Sequence, residues 1–298
     1  MTEDHYTLDA LKALTPQHDT FLGVDSDGCV FDTMEIKQKH CFHGLIAEHW
    51  GLKSIEPLLR ETAEFVNLYS AWRGQNRFIA LRKTFDLLRE RPEAHVPGVT
   101  LPLMSDMAAF IDSGATLGNA DLEREAKRTG SAELAHLYDW SLKINEEIAA
   151  KVKRIPPFPW ALKSLQLVQD TSDVVCVSQT PVEALIREWK ENNLLPYARF
   201  IAGQEIGTKA EHLEIATTGK YAPDRVLMIG DAPGDYKAAQ ANGVLFYPVN
   251  PSEEDASWQR FHDEAYQRFL DGTYAGDYAE ELRLDFFARL PETPPWAS

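Results

Sequence analysis

Four short segments carry residues able to do chemistry: Asp25-Ser-Asp27-Gly28, Ser178-Gln179-Thr180, Lys209, and Gly230-Asp231-Ala-Pro-Gly-Asp235. Four carboxylates brought to one place repel one another and resist ionisation unless a cation sits among them, so the set implies a metal ion. Oxygen donors without His or Cys favour a hard ion such as Mg²⁺, which keeps part of its water and is commonly shared with a substrate phosphate. A carboxylate can attack phosphorus to give an aspartyl-phosphate. A second acid two residues on can protonate the leaving oxygen and later activate water. Phosphoryl transfer also needs fixed positive charge and donors on the equatorial oxygens, for which Ser178, Lys209 and loop N–H groups are candidates beside the cation. Lys220 competes for the lysine role, and its position at a helix start favours Lys209.

These residues need elements that deliver them to one edge. Phe21-Leu-Gly-Val24 reads as a buried strand that ends in the first acidic segment. From Met34 to about Arg154 the apolar spacing is helical, with helices expected near 34–50, 56–69, 76–90, 101–112, 120–129 and 131–153. Asp112–Asn119 punctuates that block as a loop, and Pro156-Pro-Phe-Pro159 closes it as a stiff connector. Helix and strand then alternate: helix 160–169, strand 174–177, helix 181–192, strand 199–202, helix 208–216, strand 226–229, helix 234–241, strand 244–247. Such alternation means an α/β fold, a doubly wound parallel sheet, whose ligands sit beyond the carboxyl ends of the strands. Each of the four segments falls just after a strand or at the helix start that follows one. With Asp and Gly each near 6% of positions, a DxDG or a GDxxxD alone arises by chance in roughly one chain in fifteen of this size, so their joint occurrence behind strands is informative. The tail from Asn250 reads as two aromatic-rich helices, near 254–270 and 277–289, packed against the sheet domain.

In this order, with Lys209 lying 22 residues before Asp231, the segments resemble the haloacid dehalogenase-like hydrolase superfamily. Its members carry a DxDGxxxD loop, a Ser or Thr after a strand, a Lys heading a helix, and a GDxxxD loop. The resemblance covers about 21–33 and 160–248 and implies a Rossmann-like core. It further implies Asp25 as nucleophile and ligand, Asp27 as general acid/base with its carbonyl on Mg²⁺, and Asp231 as a third ligand. Asp235 would be a water-mediated ligand or would orient Lys209. Subclass I members insert a helical cap between the first two motifs, which here gives a core of 1–33 and 156–298 and an all-helical cap domain over 34–155. Cys29 stands where the family usually has Thr and is expected to be structural. Dehalogenase members lack the acid at the Asp27 position, so its retention resembles the phosphate-ester branch.

In the cap, Arg73 and Arg77 flank a Gly four residues apart, loosely resembling the substrate-contacting loop of sugar-phosphate-acting relatives; a charged turn opening the helix at 76 accounts for them equally. Gln179 is a further candidate substrate contact. Lys37, Lys39, His40 and His43 follow the catalytic loop and read chiefly as a solvated helix face, while Trp140, Trp160 and Trp189 read as core.

Composition bounds the partners. Across 298 residues, 30 Lys and Arg against 46 Asp and Glu give a net charge of −16, which disfavours nucleic acid and anionic membranes. Three cysteines without a CxxC pair, an acidic N-terminus unlike a signal peptide and the lack of a long apolar run point to a cytoplasmic protein. The expected function is Mg²⁺-dependent hydrolysis of a small phosphorylated metabolite. The alternatives are a phosphotransferase or phosphomutase with the same aspartyl-phosphate chemistry, and a non-catalytic binding protein on the same fold.

Overall fold

The computed structural model describes residues 5–297. The chain forms two compact units, Met1–Met34 with Arg154–Leu290, and Glu35–Lys153 with Pro291–Ser298.

The first unit is built on five strands, β1 (Phe21–Val24), β2 (Asp173–Val177), β3 (Phe200–Ala202), β4 (Val226–Gly230) and β5 (Leu245–Pro248). They form one parallel sheet in the order β3-β2-β1-β4-β5. Short apolar runs suit strands buried on both faces, and every residue of β1, β2 and β4 is buried. Because crossovers between parallel strands are right-handed, the strand order puts the helices Pro159–Val168 and Val182–Glu191 on one face and Lys209–Thr217 and Pro233–Ala241 on the other. Strand order reverses at β1, where β2 lies on one side and β4 on the other, leaving a crevice at their carboxyl ends. Gly23 permits the close approach of a helix to β1: a Cβ there would lie 2.9 Å from Leu213 Cδ2 and 3.1 Å from Met228 Sδ.

The aromatic tail completes this core. Trp258, Phe261, Tyr274 and Phe286 are buried, Tyr274 donates to the Phe246 carbonyl at 2.6 Å, and Asp255 accepts from the Trp160 N–H at 2.8 Å. A helix over Leu8–Ala13, capped by Thr7, was not expected from the sequence pattern; at six residues it is too short to show a clear period.

The second unit is helical. Glu56–Leu68 packs on Arg77–Glu90, and Asn119–Thr129 packs on Ala132–Lys151. Trp140 is buried edge-on to Phe42 and Trp50. The helix expected from 101 starts at Ser105, because Pro102 has no N–H to give and Met104 takes a left-handed φ of 56°. The first long helical run of this part of the chain contains a π-helical segment, Gln38–Phe42, between Thr33–Lys37 and His43–His49. The wider turn rotates the residues after it relative to an α-helical register, and His43, expected on the solvated face, is fully buried.

Residues Pro291–Ser298, assigned to the core domain from sequence, group instead with the helical unit. The Ala71 N–H donates to the Pro291 carbonyl at 3.3 Å, and the Trp296 ring packs on Phe65 and under the Arg91 guanidinium, 4.3 Å from its centre. Among the described residues no helix is long and apolar enough to cross a membrane.

Candidate active site

The crevice of the first unit collects the acidic segments. Asp25 follows β1 directly, and its N–H donates to the Ile229 carbonyl at 3.0 Å, extending the ladder by one residue. The chain then turns: the N–H groups of Val30 and Phe31 donate to the Ser26 carbonyl at 3.0 and 3.1 Å, with Gly28 at φ 77°, a left-handed value that Gly adopts at no steric cost. Trp189, buried as expected, donates its indole N–H to Ser26 Oγ at 3.0 Å and pins the loop from below.

Asp231 follows β4, and Asp235 sits in the first turn of the helix Pro233–Ala241, where Oδ2 accepts from the Ala232 N–H at 3.0 Å. Gly230 is required beside it, since a Cβ there would overlap the Asp235 carboxylate. Asp25, Asp231 and Asp235 are all buried, and each offers an oxygen within 4.8 Å of the others. Lys209 is the first residue of its helix, which Thr208 and Glu211 open with a reciprocal capping box. Its Nζ donates to Asp25 Oδ2 at 2.9 Å and to Asp235 Oδ1 at 2.6 Å. Lys220 serves elsewhere: its Nζ donates to the carbonyls of Lys12 and Ile215 at 3.0 and 3.1 Å, tying two helix ends together.

Electrostatics follow from this packing. Burial pushes the Asp25 carboxyl well above its usual range, Lys209 pulls it back, and Asp235 and Asp231 push it up again. Burial disfavours the Lys209 ammonium too, yet Asp235 and Asp25 outweigh it and hold the group charged. Burial, then the charges of Asp231, Asp25 and Asp235, drive the Cys29 thiol far up, so Cys29 is an inert thiol and a poor nucleophile. Three buried carboxylates against one ammonium leave negative charge for a divalent ion, and an all-oxygen donor set fits Mg²⁺.

Asp27 leaves the cluster of three. Its Oδ1 accepts from the Thr33 hydroxyl and its Oδ2 from the Thr180 hydroxyl, the latter at 2.7 Å. Neither threonine was singled out from sequence, where a hydroxyl two residues beyond Ser178 looks like any turn residue. Ser178 is buried just after β2, and its Oγ accepts from the Thr180 N–H at 3.2 Å. Gln179 is exposed and donates through Nε2 to the Gly207 carbonyl at 2.9 Å, so its amide links two loops.

Arg73 and Arg77 belong to the helical unit. Arg73 is buried and donates to the Leu68 carbonyl at 2.8 Å. Arg77 donates to Asn145 Oδ1 at 2.8 Å and to Ser141 Oγ at 3.2 Å, and burial lowers its guanidinium to about 10. Both thus have a structural use inside that unit.

No protein-family model matches the chain, and no curated protein matches it. Solved structures that resemble it include a haloacid dehalogenase-like hydrolase from Bacteroides fragilis, at 17% identity over 81% of this chain and 93% of that one, with a TM-score of 0.49. Others are a protein described as a phosphoglycolate phosphatase from Lactobacillus delbrueckii subsp. bulgaricus (17% identity, 91% and 99% coverage, TM-score 0.45) and a magnesium-bound haloacid dehalogenase-like hydrolase from Bacillus subtilis (16%, 79% and 88%, 0.44).

Proposed function

We propose that the protein is a haloacid dehalogenase-like phosphohydrolase that cleaves small phosphorylated metabolites in the cytoplasm, with Asp25 as nucleophile and Mg²⁺ as cofactor. The observation that carries this reading is the placement of the Asp25 carboxylate beside the Lys209 ammonium, among buried acids at the switch point of a parallel sheet.

Asp25, Asp231 and Asp235 would hold the ion, with Asp235 also fixing Lys209. When bound, Mg²⁺ would neutralise phosphate charge and suppress the repulsion that resists ionisation of Asp25. Asp25, kept ionised, attacks phosphorus; the phosphorus–ester oxygen bond breaks, and the departing oxygen takes a proton from Asp27 to leave as an alcohol. Asp27, now a carboxylate, takes a proton from water as that water attacks the aspartyl-phosphate, which releases inorganic phosphate and restores Asp25. Lys209 and the Ser178 hydroxyl supply charge and a donor to the phosphoryl oxygens. The acid at position 27 favours phosphate-ester cleavage over dehalogenation, since an alkoxide leaving group needs a proton and a halide does not.

The test is phosphate release from an aryl phosphate and a panel of sugar, nucleotide and short-acid phosphates, with Mg²⁺ or chelator. Turnover that requires Mg²⁺ and is lost in Asp25→Asn is the expected result. A rearranged phosphoester in place of free phosphate would replace hydrolysis by a mutase reaction, and no reaction together with no aspartyl-phosphate trapped on Asp25 would leave a binding protein.

A further inference from the structure

The loop that follows β2 does more than present Ser178. It is fastened to the loop that follows β3 by three hydrogen bonds: Gln204 N–H to the Thr180 carbonyl at 3.2 Å, Gln179 Nε2 to the Gly207 carbonyl at 2.9 Å, and Val182 N–H to Glu205 Oε2 at 3.0 Å. Gly203 lets the two loops touch, because a Cβ there would lie 2.7 Å from the Thr180 carbonyl oxygen. Thr180 is therefore fixed on the scaffold from both sides, and its hydroxyl reaches across 153 positions of sequence to Asp27 Oδ2 at 2.7 Å.

Asp27 lies beyond the end of β1, in an isolated bridge with Phe31, and its two oxygens accept from two hydroxyls, Thr33 on Oδ1 and Thr180 on Oδ2. Each carboxyl oxygen has more than one lone pair, so the hydroxyl donates to Asp27 as a carboxylate and as an acid alike and leaves the acid's own proton for the departing oxygen. A β-branched Thr has few rotamers, which keeps that oxygen in place better than a flexible donor would.

Building on the phosphohydrolase reading above, we propose that Thr180 is a positioning residue that sets the place of the Asp27 carboxyl, and that the β2 and β3 loops act together as the brace for this acid. Thr180 acts through Asp27, whose Oδ2 its hydroxyl holds at 2.7 Å. General acid assistance matters most when the leaving oxygen is basic, so a misplaced Asp27 penalises alkyl phosphates far more than a nitrophenyl phosphate, whose leaving group departs unaided.

The experiment compares Thr180→Val, which keeps the shape and removes the hydroxyl, with Thr180→Ser, which keeps the hydroxyl. Crystal structures of both are determined alongside kinetics on an alkyl and a nitrophenyl phosphate. Thr180→Val is expected to lower kcat/KM, which reports the ester-cleavage step and not the later hydrolysis shared by both substrates, at least about tenfold more on the alkyl phosphate than on the nitrophenyl phosphate, with the Asp27 carboxyl rotated; Thr180→Ser is expected to restore both. Equal losses on the two substrates, or an Asp27 carboxyl that keeps its place in Thr180→Val, would overturn the proposal. Should the wild-type protein release no phosphate from any substrate, the phosphohydrolase reading fails, and the Asp27 position in the Thr180→Val structure alone decides whether the brace exists.

Discussion

Lys209 tests the electrostatic account most directly, because its role in the fold can be measured apart from turnover. Replacing it by Met keeps most of the volume and removes the charge that lies 2.9 Å from Asp25 and 2.6 Å from Asp235. At an effective dielectric constant of about 20, each contact is worth roughly 6 kcal/mol of attraction before desolvation is subtracted. Removing one partner of a buried pair leaves a net loss of about 3–5 kcal/mol. For a unit of this size, 1 kcal/mol moves the midpoint by about 2–4 °C, so the α/β unit of Lys209→Met should melt roughly 6–20 °C lower in chelator at pH 7. The deficit should depend on pH. Without Lys209 the Asp25 carboxyl, already raised by burial, moves further up. A carboxyl whose folded-state pKa exceeds its unfolded value costs stability as pH rises from the unfolded value through the folded one. The gap between variant and wild type is therefore smallest near pH 4 and widens toward neutrality. Excess Mg²⁺ should recover part of it, about 2.7 kcal/mol at one hundred times its dissociation constant. Calorimetry in chelator across this range is the assay. A Lys209→Met midpoint equal to wild type at pH 7, or a deficit that does not change with pH, would show that Lys209 does not offset the buried Asp25 and Asp235 carboxylates.

Other variants probe separate contacts. Gly230→Ala should force the Asp235 carboxylate away from the Ala232 N–H, costing about 1–3 kcal/mol and weakening Mg²⁺ protection against thermal unfolding; an unchanged melting curve with and without Mg²⁺ would contradict the packing at β4. His43 is held at about 3 by burial, and then by Arg60 and Lys39, so the unfolded chain binds the extra proton first. Stability should fall as pH drops from 6.5 toward 3, by up to about 1.4 kcal/mol per pH unit, and denaturant titrations of His43→Leu should show a flatter acid limb. Trp296→Ala removes the ring between Arg91 and Phe65 and should destabilise the helical unit by roughly 1–2 kcal/mol, read by hydrogen exchange in Glu56–Leu68.

Much of the α/β unit was legible because its signals are local. An apolar run ending in an acid marks both a buried strand and the point where the chain leaves it, and β1 and β4 end where Asp25 and Asp231 were expected to emerge. Lys209 was readable from its place at a helix start, which the structure shows to be its helix's first residue. The helical block was readable as helices, yet not in every register. The π-helical turn at Gln38–Phe42 changes which face each later residue takes, and nothing in the apolar spacing announces one extra residue in a turn. The docking of Trp296 was likewise hidden, since eight residues of tail have no period and their partner is decided by shape.

Local sequence is enough to set the alternation of strands and helices, and hence the edge at which the four acidic, hydroxyl and lysine segments meet. Each of those features is fixed by residues within a few positions of one another. Long-range packing settles that Lys209 bridges Asp25 and Asp235 while Lys220 closes helix ends, that Gln179 ties loops, and that the Thr180 hydroxyl meets Asp27. Those contacts join residues far apart in the chain, so they exist once the crossovers have set the strand order and the sheet has brought the loops side by side.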